Sequence, residues 1–460
     1  MPQSLRVEPG AKRPVWKTQS NLEILKYWNI VERKREGTAL KPDQLQIAMF
    51  SIHSSPIGEL GTKNTGGMSV YIRELARQLG ARGHCIDIYT RLNGSKHNQI
   101  IDLDDNVRLI HLSAGNNGYV HKLALYYYLS DFFRALQRFK QQQSLHYDLI
   151  HSHYWLSGRL GSWVQDRWNL PHIVMFHTLG TVKNIAGVAD EEPDLRIATE
   201  KKLAKTCQRI LAPTVREKNN LLTYYNATAG KIGVVPCGVN LDLFQPMDRA
   251  AARQRLGFDD NESIVLYVGR FDPIKGIDRL LEAATHLQDH RRLRLVIIGG
   301  DGPDTPEYQN LQKMTRKLGL QNTVTFVGRI EQKNLPPYYS AADVLVVPSY
   351  YESFGLVGLE SLACGTPVVA TEVGAMRSIL QEGQTGQIVT HANPRSLAQA
   401  IETFITGSGP KKLSADMIRA SVLKFGWSNV AAAVVDEYDT LFQQNNYETL
   451  DNASAKASSL

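Results

Sequence analysis

The stretch Val344-Leu345-Val346-Val347-Pro348-Ser349-Tyr350-Tyr351-Glu352-Ser353-Phe354-Gly355-Leu356-Val357-Gly358-Leu359-Glu360 decides how this chain folds. Val344 to Val347 is an apolar run short enough to be a buried strand, and Pro348 and Ser349 close it. A helix opens near Gly355, so Glu352 sits on the strand-to-helix loop and Glu360 falls in the second turn. The first N–H groups of a helix have no acceptors within the helix, and its dipole favours negative charge there. That end suits an anionic diphosphate, with a carboxylate left over for sugar hydroxyls. The stretch reads as a nucleotide-sugar site.

The same strand–helix alternation runs outward on both sides. Upstream come apolar runs at Ile264 to Val268, Leu293 to Ile298 and Val324 to Val327, and downstream Val368 to Ala370. An earlier series has strands at Leu45 to Ser51, Cys85 to Tyr89, Asp148 to His151, His172 to Phe176, Arg209 to Ala212 and Ile232 to Val235. A helix over Gly67 to Leu79 follows the first of them. Strands alternating with helices predict α/β architecture with doubly wound parallel sheets, here two Rossmann-like halves without a detectable sequence repeat. The expected divisions are a basic extension over 1–43, a first domain over 44–238 and a second over 239–426. An amphipathic helix over 427–442 comes next, with Val430, Ala433, Val434, Tyr438 and Leu441 on one face. The polar residues 443–460 are expected to be disordered. Ligands of such sheets bind at the carboxyl ends of the strands.

Composition narrows the class. In 460 residues, 43% hydrophobic and 21% charged content describes an ordinary soluble globular protein with a sizeable core. Cys85, Cys207, Cys237 and Cys364 show no metal-ligand spacing and no CxxC, which fits reduced thiols in a cytoplasmic protein and no metal site. The net charge is +7, and residues 1–43 supply nine Lys/Arg against five Asp/Glu. Aromatic and basic residues are not interleaved there, so a solvated basic face is favoured over a nucleic-acid or membrane arm. The first 30 residues lack a continuous apolar segment, and no run of 18 apolar residues occurs. Neither a secretory signal nor a membrane span is expected.

Further loops fall at strand ends. Gly61-Thr62-Lys63-Asn64-Thr65-Gly66-Gly67-Met68 puts two glycines before a helix, where a backbone can approach a ligand closely. In Val268-Gly269-Arg270-Phe271-Asp272-Pro273-Ile274-Lys275-Gly276 two cations flank a turn and can both reach one diphosphate. In Phe176-His177-Thr178 the imidazole is a candidate partner for a sugar hydroxyl, although a packed structural histidine is the commoner case. The same holds for His151 and His153, which alternate along one strand. Gly299-Gly300-Asp301-Gly302-Pro303 and Gly328-Arg329-Ile330 offer backbone groups to a nucleobase edge. No GxGxxG occurs, which weighs against a dinucleotide cofactor and a nicotinamide-dependent oxidoreductase.

These loops, in this order, resemble the retaining glycosyltransferases of family 4, which have the GT-B fold. The likeness covers about Gln46 to Phe442, and its specific elements are GRFDPIKG and ESFGLVGLE. Ser51-Ile52-His53-Ser54-Ser55-Pro56, TGGMSVYIRELA, HSHYWLSG and FHTLG look like the branch that includes the inositol-phosphate N-acetylglucosaminyltransferase of mycothiol synthesis, with sucrose-phosphate synthases as near relatives. The resemblance implies that the two halves face each other across a cleft, the first binding acceptor and the second nucleotide sugar, with the last helix returning to the first half. Arg270 and Lys275 would hold the donor diphosphate, Glu360 the ribose, and Glu352 the transferred sugar. Gly67 would present its N–H near the diphosphate, and His177 would face the reacting side of the sugar. The backbone at Arg329 would read uracil. His53, Phe354, Gly355, Leu356, Val357 and Thr366 would complete the donor pocket. His177, Arg270, Lys275 and Glu352 are the implied catalytic set. Lys122, Tyr154, Thr178 and Arg196 match the residues that grip an acceptor phosphate.

The chain departs from that branch at Glu59-Leu60, where the family has Gln-Pro, and at Asn64 and Ser69. These positions line the acceptor side in the resemblance, so a phosphorylated acceptor is expected and inositol phosphate itself is not assured. The implied reaction needs no cofactor and no metal, because Arg270, Lys275 and the helix N-terminus neutralise the departing UDP. Three alternatives stay open. One is a sucrose-phosphate synthase-like enzyme. Another is a lipid- or polysaccharide-directed transferase docking through the helix from His121 to Phe139, with peripheral membrane contact not favoured. The last is a non-catalytic nucleotide-sugar-binding scaffold, against which the intact charged set weighs. Whether the chain forms a homodimer is left open.

Overall fold

The computed structural model describes residues 44–457 apart from 59–64, 95–97, 116–117, 119, 189, 288–291, 392 and 407–412. The basic extension, Glu59, Leu60 and Asn64 lie outside the described residues.

Two sheets carry the chain. The first holds β1 (Gln46–Phe50), β2 (Cys85–Arg91), β3 (Ile100–Asp104), β4 (Val107–Leu112), β5 (Leu149–His153), β6 (His172–Met175), β7 (Arg209–Ala212) and β8 (Ile232–Val234). The second holds β9 (Ser263–Val268), β10 (Leu293–Ile298), β11 (Val324–Gly328), β12 (Val344–Val347), β13 (Val368–Thr371) and β14 (Gly386–Val389). The orders are β3-β4-β2-β1-β5-β6-β7-β8 and β11-β10-β9-β12-β13-β14. All pairings are parallel except β3 with β4. The doubly wound architecture expected from the alternation is therefore present twice. Central strands are covered by helices on both faces, which is why Val344 to Val347 reads as an unbroken apolar run and is wholly buried.

Each sheet reverses direction once. Apart from the antiparallel β3–β4 pair at one edge of the first sheet, chain order runs outward both ways from β1 and β5 in the first sheet and from β9 and β12 in the second. The loops leaving neighbouring strands at such a point go to opposite faces and leave a crevice at the carboxyl ends. His53 follows β1, Tyr154 follows β5, Gly269 to Lys275 follow β9, and Ser349 to Glu352 follow β12. The sequence motifs thus sit at both reversals.

Three strands escape a reading of apolar runs. In β3 the carboxylates of Asp102 and Asp104 interrupt the run, and the strand lies half-exposed at the sheet edge. β4 is broken by Arg108 and His111, and β14 is only Gly-Gln-Ile-Val. The expected helix from His121 to Phe139 is a 3-10 turn, Ala124–Tyr128, followed by a helix over Leu129–Gln142. Phe132, Leu136 and Phe139 of that helix are buried. Tyr126 stacks on Trp155 and Phe133 meets the edge of Trp163, while Tyr127 is exposed. No helix among the described residues is long and apolar enough to cross a membrane.

The chain passes between the lobes at Val239 and again at Gly426, and these two residues pair as an isolated parallel bridge. The helix that follows, Trp427–Ala457, packs its first part on the first lobe. Val430, Val434, Tyr438 and Leu441 are fully buried. Arg82 Nη2 donates to the Ser428 carbonyl at 2.7 Å, and Arg209 Nε donates to Glu437 Oε2 at 2.6 Å. The helix continues to Ala457, correcting the expectation of disorder from residue 443. Residues 443–457 contain neither glycine nor proline, so nothing local stops a helix already nucleated by packing.

Candidate active site

Between the lobes lies a cavity of about 420 Å³, lined from both sides. That is the size of a small-molecule site. Its second-lobe wall begins with the β9 loop. Asp272 caps the following turn by accepting from the Ile274 N–H, and Gly276 ends it in the left-handed region at φ 69°. A Cβ at Gly276 would stand 2.2 Å from the Pro348 carbonyl oxygen, so this loop can lie on the β12 loop only with glycine there. The close approach brings Lys275 Nζ to 2.7 Å from Glu352 Oε1, which also accepts from Ser349 Oγ at 2.9 Å. Arg270 lines the same wall, 3.7 Å from Asp272.

The helix Leu356–Ala363 opens into the cavity. Its N-cap is Gly355 at φ 97°, and no side chain caps it. Across the cavity the helix Gly67–Ala81 also starts without a side-chain cap. A Cβ on Gly67 would lie 3.3 Å from Leu356 Cδ1, so the two helix starts nearly touch. Two positive helix ends therefore converge on one space. Glu360, one turn further on, is buried. Its Oε2 accepts from Tyr339 Oη at 2.7 Å and its Oε1 from Gln332 Nε2 at 2.9 Å. Burial raises its pKa above the ordinary glutamate range, against these two hydrogen bonds.

The first-lobe wall carries the histidines. His177 (φ 60°) and Tyr154 (φ 77°) both hold left-handed backbones, uncommon for any residue but glycine and a true outlier for a bulky aromatic. His177 Nε2 lies 2.9 Å from His153 Nδ1, and His151 Nδ1 lies 2.8 Å from Tyr438 Oη. Burial depresses His53, His151, His172 and His177 to about 3, and His153 well below its ordinary value. His177 is therefore a neutral hydrogen-bonding group in the neutral pH range.

Beside them is a charged cluster. Arg196 is fully buried, its Nε donates to Glu200 Oε1 at 2.7 Å, and its Nη2 donates to both the carbonyl and Oγ1 of Thr178 at 2.9 Å. Its guanidinium lies over the Tyr154 ring, 4.9 Å from the centroid. Glu192 Oε1 meets Arg196 Nη1 at 2.9 Å and Lys122 Nζ at 3.8 Å, and pairs with Lys183. Burial lowers the Lys122 pKa, with Glu192 opposing and Lys183, Arg196 and Arg270 adding to the shift.

His53, Gly67, Lys122, Tyr154, His177, Thr178, Arg196, Arg270, Lys275, Arg329, Glu352, Phe354, Gly355, Leu356, Val357 and Glu360 all line the one cavity. Thr366 does not. It is buried behind Tyr339, to whose carbonyl its Oγ1 donates at 2.6 Å, so it supports the partner of Glu360 and does not complete the pocket. Ser69 also misses the acceptor wall: it is fully buried with its Oγ 2.7 Å from Ser54 Oγ. Sequence reasoning missed Lys183, Glu192, Ser349, Tyr339 and Gln332. Lys183 follows FHTLG closely enough to have been suspected, whereas Glu192 reaches the cluster through a loop whose path has no local signal. Among the described residues no three His, Cys, Asp or Glu side chains form a metal-binding group.

The Glycosyltransferase Family 4 profile matches residues 65–243, and the Glycosyl transferases group 1 profile matches residues 248–422. Over 405 residues the chain is 39% identical to D-inositol 3-phosphate glycosyltransferase 2 of Catenulispora acidiphila, covering 85% of this chain and 94% of that protein. The chain belongs to the family 4 glycosyltransferases. This glycosyltransferase is also 38% identical to D-inositol 3-phosphate glycosyltransferase of Streptomyces scabiei, over 85% of its own length and 90% of the relative's. Among solved structures, sucrose-phosphate synthase from Thermosynechococcus elongatus superposes with a TM-score of 0.78 at 32% identity, covering 87% of the glycosyltransferase and all of that chain. Anabaena HepE in complex with UDP-glucose shares the fold at 18% identity and a TM-score of 0.61. The two-sheet architecture is thus the GT-B fold.

Proposed function

We propose that this glycosyltransferase moves a sugar, with retention, from a UDP-sugar to a hydroxyl of a small phosphorylated acceptor, an inositol phosphate or a sugar phosphate. The observation that carries the reading is the division of the cavity wall. On one side stand Arg270, Lys275 and the Leu356–Ala363 helix start. On the other stand Lys122, Lys183 and Arg196 with the hydroxyls of Tyr154 and Thr178. Two separate sets of cations suit two separate anions, a diphosphate and a phosphate.

The second-lobe set stabilises charge as it grows on the leaving UDP oxygen. Protein cations do this work in our reading, without a metal. Glu352 holds Lys275 in the cavity and, with the leaving phosphate, handles charge and protons at the anomeric centre. Glu360 takes the ribose, and the backbone at Arg329 takes the uracil. His177, neutral and held by His153, accepts from or donates to a sugar hydroxyl. Closure of the lobes would exclude water and limit hydrolysis of the donor.

Of these two acceptors, a sugar phosphate is supported by the TM-score of 0.78 to the sucrose-phosphate synthase, and an inositol phosphate by the 39% identity to the D-inositol 3-phosphate glycosyltransferase. One screen separates the two: incubation with nucleotide sugars paired with inositol phosphate, hexose phosphates or their unphosphorylated forms, read by mass shift. Transfer to phosphorylated acceptors is expected. Turnover confined to unphosphorylated acceptors, or to donors other than UDP-sugars, overturns the proposal.

A further inference from the structure

In the cation cluster of the first lobe, the two carboxylates are held in different ways. Glu200 is fully buried, and every contact it makes is internal. Arg196 Nε reaches its Oε1 at 2.7 Å, while the Gly180 N–H and Tyr225 Oη reach its Oε2 at 2.9 and 2.7 Å. It is a fixed counter-ion. Glu192 is buried without lining the cavity itself, and Lys122, Lys183 and Arg196 converge on its Oε1. Lys122, Lys183 and Arg196 line the cavity themselves. Burial works against the charge of Glu192, yet Arg196, Lys183 and Lys122 hold its carboxyl at about 2, so it stays ionised at any working pH.

We infer that the Glu192 carboxylate takes the place among Lys122, Lys183 and Arg196 that an acceptor's phosphate needs, so that a phosphorylated acceptor binds by exchange with it. This rests on the phosphorylated-acceptor reading above. The charges match such an exchange. With Glu192 in place, three cations face two carboxylates. With its side chain swung out, Lys122, Lys183 and Arg196 against Glu200 leave two positive charges, which suits a phosphomonoester dianion. A neutral acceptor leaves Glu192 where it is and gains nothing from the cluster, so the residue sets selectivity for a doubly charged group.

The backbone permits the movement. The Glu192 N–H donates to Asn184 Oδ1 at 2.7 Å, and Asn184 Nδ2 donates to the Glu192 carbonyl at 3.1 Å. The main chain is thereby pinned on both sides, and exchange requires only rotation of the side chain. The neighbours Asp190 and Glu191 are exposed, so the segment that carries Glu192 borders solvent. The cations keep an anion throughout, and none is left buried and uncompensated.

The test is calorimetric titration of the whole protein with inorganic phosphate at low ionic strength. Wild type is compared with Glu192→Gln, Glu192→Asp and Lys122→Ala. Glu192→Gln should bind phosphate roughly tenfold tighter, the effect of removing one competing charge from a partly desolvated site. Glu192→Asp, shorter and still charged, should tighten binding less, and it decides the matter if the glutamine variant fails to fold. Lys122→Ala should weaken binding. If Lys122→Ala weakens binding while neither Glu192 variant tightens it, the exchange is overturned and the phosphate site stands. If phosphate binds neither wild type nor the Glu192 variants, the phosphorylated-acceptor reading falls and takes the exchange with it.

Discussion

Lys275 Nζ lies 2.7 Å from Glu352 Oε1, and the two residues come from different strand-end loops of the second lobe. Their side chains are 21% and 12% exposed, so the pair is screened from most of the solvent but still faces the cavity. An ammonium held this way is positioned before any ligand arrives, and preorganised charge is what stabilises a departing anion without further rearrangement.

Lys275→Ala should therefore cut turnover far more than it cuts stability. Removing one such donor typically costs ~3 kcal/mol at the transition state, on the order of a hundredfold in rate. The partly buried pair should contribute no more than about 1–2 kcal/mol to folding. Steady-state kinetics beside urea denaturation measures both, and turnover close to wild type would refute the assignment.

Gly276→Ala should reach the same site through the backbone. The left-handed conformation alone disfavours any Cβ, and here that carbon would meet the Pro348 carbonyl. A loss of about 2 kcal/mol or more is expected. Because the loop carries Lys275, UDP affinity by calorimetry should fall as well. Unchanged affinity would mean that the two loops move independently.

The buried histidines predict early acid unfolding. His53, His151, His172 and His177 are held at about 3, and His153 well below its ordinary value, whereas the unfolded chain protonates each near 6.5. The unfolded state then binds more protons below that pH, so stability is complete above it and is lost as pH falls toward 3. Each histidine contributes up to about 1.4 kcal/mol per pH unit, against a total of roughly 5–15 kcal/mol for a domain. Circular dichroism should show cooperative unfolding near roughly pH 5. A native spectrum persisting below about pH 4 would contradict the prediction.

Glu217 has the opposite sign. Burial, joined by the charge of Glu200, lifts its carboxyl to about 8, with Ser353 Oγ 3.4 Å from its Oε2 opposing the shift. The folded state holds this proton where the unfolded chain releases it, so stability falls as pH rises from the ordinary glutamate range to about 8. The slope is up to about 1.4 kcal/mol per pH unit. Glu217→Gln should remove that slope in urea denaturation across this range. Parallel curves for the two proteins would show that the carboxyl is ionised in the fold.

What the sequence made legible follows from locality. Arg270, Lys275, Glu352 and Glu360 each lie within a single strand–loop–helix unit, so apolar runs and glycine positions suffice to bring them to one strand end. The fold class follows from the same alternation. Strands β3, β4 and β14 were lost because edge position and charged residues hide an apolar run. Thr366 lies close to Glu360 in sequence, but the turn after the helix carries it behind Tyr339. Glu192 was illegible for the converse reason: only the fold of the segment between two helices brings its carboxylate to Lys122. The left-handed backbone of Tyr154 is likewise imposed by its surroundings, since a bulky aromatic disfavours it.

The return of the last helix to the first lobe makes the two halves unequal as independent pieces. A gene divided near Val239 would give a front portion without Trp427, Val434 and Tyr438, and Tyr438 is the partner of His151 beneath the histidine-bearing wall of the cavity. The rear portion would carry an apolar stripe with nothing to lie against. Recombination between relatives can exchange whole lobes only if the terminal helix travels with the front one. Selection on its inward face is then tied to the first lobe, although the ribosome makes it last.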